Sequence, residues 1–63
     1  MKVGQIFYSK QKNSEWLIWH EIMSIDGDMV VMSNYGKETP PHDVKWRMKE
    51  IRYMIRSGML IPA

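Results

Sequence analysis

The chain has 63 residues, a formal net charge of +2 and no cysteine. A chain of this length forms one domain and buries only about 60% of the surface that its unfolded form exposes. Disulfides and cysteine-based zinc sites are excluded. A small core rich in aromatic residues and methionine must therefore stabilise the fold, unless a homodimer or higher oligomer extends it. We expect a single domain over residues 1–63.

The chain carries no signal for a membrane. No apolar run approaches the roughly 18 residues of a membrane span, and residues 1–4 do not open the long apolar core of a signal peptide. We therefore expect a cytoplasmic protein without membrane contact.

The first half of the chain has the pattern of an antiparallel sheet. Residues 3–8 are rich in β-formers, residues 9–14 form a polar loop, and residues 15–25 are the longest predicted strand. Asp26-Gly27 then predicts a tight hairpin into a strand over residues 28–33. Residues 34–37 form a second turn, in which Gly36 can take a left-handed conformation. Residues 37–41 could include a short edge strand, although two prolines limit its hydrogen bonding.

The second half has the pattern of one amphipathic helix, over residues 43–57. Thr39 or Asp43 could cap its start, and Gly58 fits the position after its end. An apolar tail over residues 59–61 either packs on the domain or returns as a closing strand. The predicted class is α+β, with a small curled antiparallel sheet or partial barrel of three to five strands over residues 3–39 and one C-terminal helix.

The predicted helix has two unlike faces. Four cations fall within about a sixth of its circumference at 100° per residue, and two aromatic residues lie beside them. Apolar residues form a separate stripe. Residues 1–43 carry a net charge of −2 and residues 44–63 one of +4, an asymmetry typical of proteins with anionic partners. The predicted binding residues are Lys45, Trp46, Lys49, Arg52, Tyr53 and Arg56.

Each feature of this face also has a plainer explanation. Cations late in a helix interact favourably with its dipole, and charged residues commonly form a solvated face. Trp46 and Tyr53 could instead pack against a second copy in a dimer. On the sheet, an aromatic cage or base-stacking platform could be formed by Trp16, Trp19 and Tyr35, although tryptophan in a small domain commonly fills the core.

The sequence gives no sign of catalysis or of a bound cofactor. His20 and His42 are the only histidines, and neither belongs to a metal-binding motif. The four glycines are dispersed, which excludes a glycine-rich phosphate loop, and no serine has the context of a nucleophile. We expect no catalytic residue, no metal site and no cofactor.

The order of these features resembles small phage and prophage proteins with a Tudor/KOW-like curled sheet and an added helix. The resemblance covers nearly the whole chain and is carried by Gly4-Gln5-Ile6-Phe7, Asp26-Gly27-Asp28 and the segment that ends in Arg56-Ser57-Gly58. It implies an accessory protein that antagonises a host defence in the host cytoplasm by binding an enzyme, a nucleic acid or a nucleotide.

The leading hypothesis is a non-enzymatic binding module that inhibits or sequesters an anionic partner through the basic-aromatic face. That partner is an acidic protein surface or a nucleotide. One alternative is a nucleic-acid-binding regulator, and the other is a structural subunit of an oligomer. The acidic N-terminal half argues against nucleic acid.

Overall fold

The computed structural model describes residues 1–10 and 16–63. Within them, five strands form one open antiparallel sheet in the order β4-β3-β2-β1-β5, accompanied by one helix. The predicted α+β class with a small curled sheet is confirmed. In chain order the elements are β1 (Ile6–Lys10), β2 (Leu17–Asp26), β3 (Met29–Gly36), β4 (His42–Arg47), α1 (Met48–Arg56) and β5 (Ile61–Pro62).

The hairpin between β2 and β3 is confirmed, one residue further along the chain than predicted. Asp26 pairs with Met29, so the two-residue loop consists of Gly27 and Asp28. Gly27 has a φ of +58°, a backbone conformation that glycine adopts without the steric cost of a Cβ atom. The predicted β1 and β2 also begin later than expected. Residues 11–15, which include most of the predicted polar loop, lie outside the described residues.

A β-bulge in β2 changes which side chains face the core. Ile22 pairs with Met32 but Ser24 pairs with Val31, which leaves Met23 as the extra residue. The bulge reverses the simple alternation, so Ile25 lies on the same side of the sheet as Ile22. Without the bulge, the two-residue period of a strand would place Ser24 rather than Ile25 on the face of Ile22.

Strand β3 continues through the segment predicted as a second turn. Asn34 pairs with His20 and Gly36 pairs with Ile18. Gly36 is needed for close approach rather than for a left-handed conformation, because a Cβ atom there would lie 3.0 Å from the Leu17 carbonyl oxygen. The chain turns after Gly36, and residues 37–41 contain no strand.

One of the two edge strands is β4, where the sequence pattern predicted the first turn of the helix. Val44 and Trp46 are half-buried, whereas Asp43 and Lys45 are exposed, which is the two-residue period of a strand. Pairing with β3 satisfies backbone groups that would otherwise form an open edge. Val44 fits the period of a strand and also that of a helix, because Met48 lies four residues further along the chain.

The helix α1 therefore begins at Met48. The Arg47 backbone N–H donates a hydrogen bond to the Glu50 carboxylate over 3.0 Å, an arrangement found in half of a capping box. Neither Thr39 nor Asp43 caps the helix. Its end agrees with the prediction, because Ser57 is the C-cap and Gly58 follows with a φ of +84°.

The core lies between one face of the sheet and α1. The returning tail completes it, since Leu60 is buried and Ile61 pairs with Tyr8 to form β5 on the outer edge of β1. The sequence left open whether the tail packs on the domain or forms a strand, and it does both: Leu60 packs in the core and Ile61–Pro62 form a short edge strand. The buried cluster consists of Phe7, Ile22, Val30, Met32, Ile51 and Leu60.

Candidate binding surface on the helix

The outward side of α1 carries four of the six predicted binding residues. Ile51 is buried against the sheet, and at 100° per residue the opposite side of the helix is left in solvent. Tyr53 is 66% exposed, which is unusual for so large a side chain. We call this surface the helix face. It consists of Lys49, Arg52, Tyr53 and Arg56.

The cations of the helix face have no anionic partners within the described chain. Arg47 and Asp28 form a salt bridge of 3.5 Å, and both side chains are largely exposed. None of Lys49, Arg52 and Arg56 forms an ion pair with a described residue. Their charges therefore add to a local positive potential. Within α1, Glu50 is the one acidic residue.

An open, mostly apolar groove of about 470 Å³ adjoins the helix face. Trp46 from β4 and Tyr53 from α1 contribute to the same lining, although they belong to different elements. Lys49 and Tyr53 belong to both the helix face and the groove, so the cations and the apolar surface are continuous. The groove is lined by Trp46, Lys49, Glu50, Tyr53, Met54 and Met59.

Lys45 does not belong to this surface. It lies on β4 opposite Val31, with Trp46 next in the strand. Neighbouring residues in a strand point to opposite faces, so Lys45 lies on the side of the sheet away from the core and the helix. Its grouping with Lys49 was wrong because it assumed helical spacing across residues 45–49.

Two arrangements on the sheet were missed by the sequence patterns. The first is a hydrogen-bonded line across three strands: Ser9 Oγ lies 2.7 Å from His20 Nε2, and His20 Nδ1 lies 2.8 Å from Asn34 Oδ1. Hydroxyl, imidazole and amide are also the groups of an activated nucleophile. None of the three lines the groove, and we interpret them as a polar bridge within the sheet.

The second arrangement is a row of aromatic residues on the side of the sheet away from α1. Tyr8 pairs with Trp19, and Trp19 pairs with Tyr35. The Tyr8 and Trp19 rings lie 5.7 Å apart at 57°. The Lys37 ammonium group lies 3.7 Å from the ring centroid of Trp16, the third residue of the aromatic cage or platform that the sequence suggested with Trp19 and Tyr35. The row could be found from the sequence only if the bulge in β2 were known, because the bulge decides that Trp19 pairs with Tyr35.

The described residues contain no cluster of three or more histidine, aspartate or glutamate side chains able to hold a metal ion. In the same part of the chain, no helix has the length and apolar character needed to cross a membrane. No protein-family model, curated protein or solved structure matches the chain.

Proposed function

We propose that this chain is a non-enzymatic binding module whose helix face and groove hold an acidic segment of another protein. The observation that carries this proposal is the continuity between unpaired cations and an apolar groove, joined at Lys49 and Tyr53. The partner would place carboxylates against the cations and one apolar side chain in the groove. A phage-type inhibitor of a host protein is the form of this function that the sequence resemblance implies, and it stays a prediction.

Charge supports an acidic partner. Lys49, Arg52 and Arg56 lie on the exposed side of α1, which is nine residues long. No described acidic side chain forms an ion pair with them. Like charges three or four residues apart repel one another slightly in the free helix. A partner that brings carboxylates relieves this repulsion and increases the rate of encounter.

The groove supports a protein rather than a bare polyanion. Half-buried Trp46 offers apolar surface to the groove together with Met54 and Met59. Methionine adapts to different shapes, and tryptophan and tyrosine commonly anchor protein interfaces. A nucleic-acid-binding groove is generally lined by cations along its length. Here Glu50 lies in the lining, so the positive charge is confined to one side.

The proposal is tested with a fluorescent peptide in which a central phenylalanine is flanked on both sides by glutamates. Two control peptides replace the phenylalanine by serine or the glutamates by glutamine. Binding is followed by anisotropy for the wild type and for two matched variants, Arg52→Glu and Lys45→Glu. Both variants change the net charge equally, but only Arg52 lies on the helix face.

We expect the acidic peptide to bind the wild type more tightly than either control peptide. Arg52→Glu should weaken binding roughly fivefold or more, since it removes an exposed ion pair that contributes up to about 1 kcal/mol and also repels the carboxylates of the peptide. Lys45→Glu should leave affinity within about twofold. Equal losses in the two variants would overturn the proposal. Salt-sensitive binding of an oligonucleotide, lost in Arg52→Glu without any binding of the peptide, would replace it with the nucleic-acid alternative.

A further inference from the structure

We infer that the side of the sheet away from α1 is a homodimer interface, occupied by the same face of a second copy. This surface is separate from the helix face, so the inference does not depend on the proposed function. We call it the aromatic face. Its centre is a row that runs across four strands and consists of Ile61, Tyr8, Trp19 and Tyr35.

No described element covers the aromatic face. The helix packs on the other side of the sheet, where Phe7 and Ile22 are buried with Ile51. Tyr8, Trp19 and Tyr35 are each partly buried among the side chains of the sheet. Their phenol and indole groups form no hydrogen bond with a described residue. Tyrosine and tryptophan with free polar groups are enriched where protein surfaces meet.

The charges on this face favour a second copy over a charged ligand. Three cations and three carboxylates of the strands cancel one another, and Asp28 in the β2–β3 hairpin adds one carboxylate where it pairs with Arg47. The net charge is therefore small, and two copies of this face repel one another less than two copies of the cationic helix face. Except for Glu21, the charged residues of the strands lie at strand ends or on the edge strand β4. The face therefore has an apolar centre and a polar rim. These residues are Lys10, Glu21, Asp26, Asp43, Lys45 and Arg47.

The size of the face and the small size of the core also favour a second copy of this chain. The two larger dimensions of the molecule are 34 and 24 Å. A face of at most roughly 800 Å² is large enough for a standard stable interface only if most of it is covered, as a two-fold pairing of whole sheets would do. The buried cluster of one copy contains six side chains. A chain of this size without disulfides commonly needs further burial for stability, and a two-fold pairing of sheets supplies it.

Sedimentation of the full chain over about 1 to 500 µM tests the inference, with Tyr35→Lys and Tyr53→Lys as matched variants. We expect the average mass of the wild type to rise from that of one copy to that of two. Tyr35→Lys should raise the dissociation constant at least roughly tenfold, because it places a charge within the aromatic row. Tyr53→Lys should behave as the wild type, since Tyr53 lies on the helix face.

A wild type that stays monomeric over the whole range would overturn the inference, and so would a dimer lost in Tyr53→Lys but kept in Tyr35→Lys. A second measurement covers the case in which Tyr35→Lys does not fold. The chain has no cysteine, so Ser33→Cys provides one spin-label position beside the row. Dipolar coupling between labels in two copies supports the interface, and its absence in a sample of dimeric mass contradicts it.

Discussion

His20 joins three strands through its side chain. Its two ring nitrogens contact Ser9 Oγ and Asn34 Oδ1 on either side, at 2.7 and 2.8 Å. All three side chains are partly buried on the core side of the sheet, where polar groups are costly without partners. The line lets a polar cluster occupy this position because both nitrogens are satisfied. His42 differs, since it is exposed and the hydrogen bond of its ring to a described residue goes to the Pro40 carbonyl oxygen, at 3.2 Å.

Replacement of His20 should therefore destabilise the fold much more than replacement of His42. We expect His20→Ala to lower the free energy of unfolding by about 1 to 3 kcal/mol, because it leaves Ser9 and Asn34 without their partner. His42→Ala should change it by less than about 0.5 kcal/mol. Urea denaturation monitored by circular dichroism measures both values. Equal effects would contradict the bridging role of His20.

At the residue scale, the sequence did not reveal this line. Ser9 was expected in a polar loop and Asn34 in a turn, so neither was placed opposite His20. Their alignment depends on where β1 ends and how far β3 continues. Register of this kind is decided by pairing between distant parts of the chain, which local residue patterns do not contain.

At the scale of elements, the boundary between β4 and α1 is the main difference from the predicted fold. Helical spacing extended the helix back to residue 43, because Val44 fits the apolar stripe. The two-residue alternation of Val44 and Trp46 carried the opposite signal. Pairing with β3 decided between them, because it satisfies the backbone groups along that side of β3. The hairpin and the helix end were predictable because glycine conformations are set locally.

The start of α1 depends on Glu50. Its carboxylate accepts a hydrogen bond from the Arg47 backbone N–H at 3.0 Å and lies in the first turn, where the helix dipole favours negative charge. We expect Glu50→Ala to reduce the free energy of unfolding by about 0.5 to 1.5 kcal/mol. The matched control is Glu38→Ala, which removes the same charge from an exposed bend.

Thermal unfolding of the two glutamate variants compares them directly. The melting temperature of Glu50→Ala should fall by several degrees, since about 1 kcal/mol corresponds to roughly 4–8 °C in a domain of this size. Glu38→Ala should melt within about 2 °C of the wild type. An unchanged melting temperature for Glu50→Ala would show that the helix start does not depend on this contact.

At the scale of the whole molecule, the two surfaces lie on opposite sides of one sheet. The helix face and groove are formed by α1 with Trp46, whereas the aromatic face is formed by alternate residues of β1, β2 and β3. Pairing through the aromatic face would therefore leave both helix faces accessible. Such a dimer would present two copies of the binding surface, and a partner with two acidic segments would gain affinity through effective concentration.

About half of this arrangement could be anticipated from the chain. The helical spacing of Lys49, Arg52, Tyr53 and Arg56 predicted an exposed cationic face, and the structure places these four residues together. The groove could not be predicted, because it requires Trp46 from a strand and Met59 from the tail to meet beside the helix. Such contacts follow from the path of the chain rather than from any local pattern.

The most direct test of the binding surface is a nitrogen-15 NMR titration of the wild type with the acidic peptide. The chain has three tryptophans, and each indole N–H gives its own signal. We predict that the Trp46 indole and the amides of Lys49, Arg52 and Tyr53 shift as peptide is added, while the Trp19 indole stays in place. Shifts of the Trp19 indole with an unchanged Trp46 would place the peptide on the aromatic face and contradict the account.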